Sequence, residues 1–117
     1  MDLLNKTDVE ILNALTPLAE NMENGWNENN YDKFSIDITD DFRNQVNMHE
    51  FERQRNISYP KLGNHKLAEL VTLHRNPDNI IIIWKLKYEN RNELGLAVYH
   101  FKEINNRIQI IGSMFHA

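Results

Sequence analysis

The sequence contains no cysteine. Disulfides, thiolate nucleophiles and cysteine-held zinc or iron–sulfur sites are therefore excluded, and the fold rests on its core alone. A cysteine-free chain with no visible secretory leader suits the cytoplasm, which is the expected compartment unless a leader precedes it. Glycine (4) and proline (3) are scarce. No Gly-rich phosphate loop, Walker-type sequence or serine nucleophile elbow occurs, so phosphoryl and acyl transfer have no support. Long hydrophobic runs are missing too. The longest, Ile80-Ile81-Ile82-Ile83-Trp84, is strand length and far below the roughly 18 to 20 residues of a membrane span. Nor is there an excess of positive charge. Lys and Arg number 13 against 17 Asp and Glu, for a net charge of −4. The densest basic group, Arg53, Arg55 and Lys61, has Glu50 and Glu52 beside it. A nucleic-acid partner calls for a basic face, so neither nucleic acid nor membrane is expected.

What is present is ordinary for one folded domain: 117 residues, 41% hydrophobic and 26% charged. Asparagine occurs 17 times and clusters at junctions, where its tolerance of left-handed backbone lets it replace glycine as punctuation.

The chain divides into helices over about 7–59 and strands over about 64–115. Thr7 and Glu10 form a capping box. Ile11, Leu12, Leu15, Leu18, Ala19, Met22 and Trp26 then recur at helical spacing, which predicts one long helix kinked at Pro17. Tyr31 to Phe34 reads as a helical turn and Ser35 to Ile38 as an extended link. Thr39 with Asp40 and Asp41 opens a short helix. Asn47 and Glu50 open another through about Ile57, with Met48 and Phe51 inward, and Tyr59-Pro60 with Gly63 ends it. Beyond His65 the period changes to two. Four strands separated by short polar turns predict an antiparallel meander. Helices followed by strands make an α+β fold. Apolar residues fall on both parities of the later strands, which one layer of helices cannot cover, so a homodimer through the sheet is expected.

In this order the segments Met22-Glu23-Asn24-Gly25-Trp26, Asn30-Tyr31-Asp32-Lys33-Phe34, Ile38-Thr39-Asp40-Asp41-Phe42, Phe51 and Lys61-Leu62-Gly63 resemble the nuclear-transport-factor-2-like superfamily. This is the cone-shaped, cystatin-like α+β fold shared with SnoaL-like and ketosteroid-isomerase-like proteins, including small bacterial domains of unassigned activity. The resemblance implies a curved four-stranded sheet wrapped around the first helix, a pocket at the wide end and a homodimer. It implies no single function.

Site chemistry is sparse. The histidines His49, His65, His74, His100 and His116 show no metal-ligand spacing and read as surface or rim residues, so no metal and no cofactor is expected. Asp40 and Asp41 read as first-turn helix residues and Asp37 as facing water. Glu69 stands among Leu67, Val71 and Leu73, where an apolar wall would raise its pKa and make it an acid or base. Pairing with Lys85 or Lys87 is its simpler role. A ligand pocket is expected from Trp26, Tyr31, Tyr59, Trp84 and Tyr88, with His74 or Tyr99 at its mouth. Three readings follow: a dimeric domain binding a small apolar molecule without catalysis, an isomerase or dehydratase using a pocket carboxylate or His, and a protein-interaction adaptor.

Overall fold

The computed structural model describes residues 2–117. After a single 3-10 turn at Leu3–Asn5, helix α1 spans Asp8–Asn27, α2 Tyr31–Phe34, α3 Asp40–Gln45 and α4 Met48–Leu62. Strands β1 (His65–Arg75), β2 (Ile80–Tyr88), β3 (Arg91–Ile104) and β4 (Arg107–His116) follow. They form one antiparallel sheet in the order β1-β2-β3-β4. The architecture is α+β, as the order of periodicities predicts.

Each helix begins on the residue whose side chain can accept from its first turn. Thr7 and Glu10 make both bonds of a capping box. Asn30, Thr39 and Asn47 accept from Lys33, Phe42 and Glu50 backbone N–H groups. Pro17 lies within α1 and does not divide it. Helix α4 runs past the expected stop at Tyr59-Pro60 to Leu62. The proline removes one donor from the last turn, and the guanidinium of Arg55 lies 3.9 Å from the centre of the Tyr59 ring there. Termination falls to Gly63, at φ 73°, whose N–H closes on the Tyr59 carbonyl. Two further expectations are corrected. Met48 is exposed, so the inward residue of this turn is Phe51 alone. Ser35 to Asp37 is a turn, and only Ile38 is extended, in a parallel bridge to Ile110 of β4.

The inward side of the sheet carries Ile80, Ile82, Trp84, Leu86 and Tyr88 from β2 and Ala97, Tyr99 and Phe101 from β3, all buried. Against them lies the buried row Ile11, Leu15, Ala19 and Glu23 of α1, with Met22 and Trp26 beside it. Register slips in every strand pair, twice in β1·β2. Such irregularities bend strands and sharpen their twist.

Helices α1 and α2 touch backbone to backbone at Gly25. A β-carbon there would stand 2.7 Å from the Phe34 Cα and closer still to its N. In an open helix Gly→Ala stabilises by about 1 kcal/mol. Here the sign reverses: Gly25→Ala is expected to cost about 1–3 kcal/mol through overpacking against backbone that cannot yield. Urea unfolding at neutral pH measures it, and a stabilised variant would refute the close-contact argument.

Candidate functional site

The row Ile11, Leu15, Ala19, Glu23 repeats every four residues, so the fourth member points a carboxylate where its predecessors point methyl groups. Glu23 is 2% exposed. Its Oε2 accepts a short hydrogen bond from the Tyr99 hydroxyl of β3. Its Oε1 lies 3.1 Å from Nδ1 of His65, the first residue of β1 and itself 5% exposed. Burial, then the negative charge and hydrogen bond of Glu23, hold the Tyr99 phenol well above its ordinary range. Tyr99 therefore keeps its proton and donates it to Glu23.

One turn further along α1, Asn27 grips the backbone of His65. Its Oδ1 accepts from His65 N at 2.8 Å and its Nδ2 donates to His65 O at 2.8 Å. The end of α1 is held by Arg55 of α4, which donates to the Trp26 carbonyl at 2.8 Å and the Asn27 carbonyl at 3.1 Å. A cation on these last carbonyls is also favoured by the helix dipole. The His65 ring is enclosed by Trp26, stacked at 5.5 Å, and by the edges or faces of Tyr88 and Phe115 at 5.1 and 5.0 Å.

These four rings form one wall of a cavity of about 440 Å³. Arg53, Gln54, Ile57, Ser58 and Leu62 of α4 also line it, as do Ser113 and Met114 of β4. Three polar atoms in this wall are buried without a hydrogen-bond partner: Trp26 Nε1, His65 Nε2 and the Tyr88 hydroxyl. Burial raises the Tyr88 phenol pKa, nearby Arg91 lowers it, and Glu23 adds a smaller raising effect. No cluster of three or more metal-ligating side chains occurs among the described residues. Among the same residues, no helix is long and apolar enough to cross a membrane.

Of the residues expected around a pocket, Trp26 and Tyr88 line this cavity. Tyr99 lies behind it, on Glu23. Tyr31 donates to the Val46 carbonyl at 2.6 Å and packs on Phe34 and Phe51. Tyr59 donates to Asn64 Oδ1 at 2.9 Å. Trp84 is core, its ring against Tyr99. His74 is exposed on β1 opposite Ile81. Glu69 is on no apolar wall: its side chain is 73% exposed, 3.7 Å from Lys85. Slips of register at Leu67/Leu70 and Leu70/Thr72 break the parity that would have turned it inward. His65 corrects the reading of all five histidines as surface or rim groups. The signal for the pair was a charge on the apolar row of α1.

No protein-family model matches the sequence, and no curated protein is significantly similar to it. Solved structures do match its shape. An NTF2-like protein of unknown function from Pseudomonas putida KT2440 superposes on 96% of this chain and 89% of its own, with a TM-score of 0.71 at 14% identity. Bd1075 of Bdellovibrio bacteriovorus superposes on 94% of this chain, which spans 42% of that larger one, with a TM-score of 0.57 at 12% identity. The chain has the NTF2-like fold.

The Tyr99 shift has a measurable sign. The unfolded phenol ionises near its ordinary 10.0 and the folded one only higher. Its contribution is complete below that value and is lost as pH rises above it. Stability should therefore fall more steeply toward about pH 11 in the wild type than in Tyr99→Phe. The variant should start about 1.5–3 kcal/mol less stable, having lost a hydrogen bond to a charged group. Urea unfolding across the alkaline range reads both, and equal slopes would contradict the assignment.

Proposed function

We propose that the chain is a non-catalytic binding domain that takes a small, largely apolar molecule into the cavity between α4 and the α1 end of the sheet. The observation that carries this reading is the trio of partnerless polar atoms on Trp26, His65 and Tyr88 in one apolar wall. Each such atom costs about 1–3 kcal/mol if nothing ever meets it. An apolar cavity with a few placed polar groups is the usual form of a small-molecule site. The second reading is an isomerase or dehydratase. It draws on His65 backed by Glu23, a histidine oriented by a carboxylate as acid–base catalysts are.

Ligand binding is expected to raise the melting temperature by several degrees at saturation, since about 2.7 kcal/mol accrues at a hundredfold excess over Kd. It should also change the emission of Trp26, isolated in a Trp84→Phe background. A library of apolar ring compounds that moves neither signal would favour the adaptor reading.

The same proposal includes a cytoplasmic homodimer paired through the outer face of the sheet. Its rows run Thr72, Ile83, Val98, Met114 and His74, Ile81, His100, Gly112 across the four strands. The neighbouring row places Lys85 beside Leu96 and His116, with Glu69 on Lys85. Ile81, Ile83, Val98 and Met114 among polar neighbours, edged by both signs of charge, suit a patch that must pair with itself. Sedimentation at micromolar concentration is expected to give twice the 13.9 kDa chain mass. Val98→Glu should return the monomer with its melting curve intact. A monomeric wild type would end the pairing argument.

A further inference from the structure

The carboxylate behind His65 fixes what its other nitrogen can do. Tyr99 gives its single proton to Oε2 of Glu23, leaving Oε1 to the His65 ring at 3.1 Å. A carboxylate has no proton to give, so Nδ1 supplies it. In the tautomer whose Nδ1–H donates to Glu23, the imidazole carries its lone pair on Nε2, at the far side of the ring from Glu23. That atom is buried among Trp26, Tyr88 and Phe115 with no partner.

We propose that His65 Nε2 is the polar anchor of the cavity, and that the ligand is a neutral ring compound bearing a hydroxyl group, a phenol or enol, whose O–H donates to it. This rests on the binding reading above. The neighbours complete the match. Trp26 Nε1–H is a donor only, and the Tyr88 hydroxyl keeps its proton. A hydroxyl oxygen donates once and accepts twice, so it can meet the one acceptor and still accept from a donor in the same wall. An ether oxygen can only accept, and a hydrocarbon satisfies none of the three.

Charge narrows the class further. Glu23 stands behind the anchor, so a carboxylate or phosphate ligand would meet a like charge. Arg53, the cation named in the lining, is already in a 2.5 Å ion pair with Glu50, and Arg55 is spent on the Trp26 and Asn27 carbonyls. A ligand cation would find the carboxylate behind this wall taken, because both oxygens of Glu23 are engaged. The neutral hydroxyl remains. The anchor is also held rigid before any ligand arrives. Asn27 fixes its backbone, Glu23 its ring and Trp26 its face. Glu23 and Asn27 are positioning residues here, acting on the ligand only through His65.

The test titrates the full chain with naphthalene, 2-methoxynaphthalene and 2-naphthol, followed by calorimetry and, in the Trp84→Phe background, by Trp26 emission. The wild type is expected to bind 2-naphthol about tenfold more tightly than its methyl ether, the worth of one buried hydrogen bond. His65→Phe should erase that preference and retain naphthalene. Equal affinities for naphthol and ether in the wild type would overturn the anchor while leaving the binding reading standing. Failure of all three probes would remove the binding reading itself. A second measurement needs no variant to fold. Long-range proton–nitrogen spectra of the wild type near neutral pH should show His65 protonated at Nδ1 and bare at Nε2. A proton on Nε2, alone or with one on Nδ1, would overturn the proposal.

Discussion

A carboxylate in the apolar row of a helix constrains everything packed around it. Glu23 occupies the position of a core methyl, and taking its charge out of water costs several kcal/mol. The two side chains that meet it come from β1 and β3, strands that are not neighbours in the sheet. Each charge-assisted bond returns about 1.5–3 kcal/mol. The two sides of this account nearly cancel, so the cluster adds little net stability, and a leucine would serve the core as well. What the cluster does supply is placement. Glu23 can be satisfied only when the start of β1 and the middle of β3 both lie against the same turn of α1.

The rest of that end of the molecule reinforces the placement. Gly25 lets α2 approach so that Phe34 packs on Trp26, and Arg55 ties α4 to the last carbonyls of α1. Asn27 bonds to His65 as a neighbouring strand would, with one donor and one acceptor. The opposite end of the sheet is tied at its edges instead, where Leu3 N donates to Glu103 Oε1 at 2.9 Å and Arg75 donates to the Leu4 carbonyl at 3.2 Å. There Ile80, Ile82 and Phe101 close on Ile11 and Leu15 in an all-apolar core. Polar groups without partners concentrate where the packing is most strictly specified. That contrast separates a site from a packing defect.

The helix starts, the meander and its turns were legible because each rests on local chemistry. A Thr or Asn accepts from its own first turn, and a period of two survives in any strand that keeps its pairing. Two things were not legible in that way. The inward parity of β1 depends on register slips that only pairing with β2 creates, so Leu67, Glu69, Val71 and Leu73 appear to share a face they do not share. Aromatic content likewise names candidates without placing them. Trp84 and Trp26 are equally apolar in sequence, yet one meets Tyr99 in the core and the other meets a cavity. Glu23 was legible in principle, at a spacing of four from Ala19, Leu15 and Ile11. His65 was not, because nothing in its neighbourhood announces that a carboxylate waits 42 residues away.

Strand alternation then ties the cavity to the outer surface of the sheet. On β4, Phe115 faces His65 and Trp26, while Met114, one residue earlier, pairs with Val98 in the outer row and also borders the cavity. On β3, Tyr99 supports Glu23 while Val98 and His100 flank it on the other face. Adjacent residues of a strand cannot move independently, because a shift that slides one face slides the other by the same amount. Any protein or second copy seated on the outer rows therefore bears on the same backbone that sets the cavity wall. The thickness separating the two surfaces is one peptide layer, so each is a lever on the other.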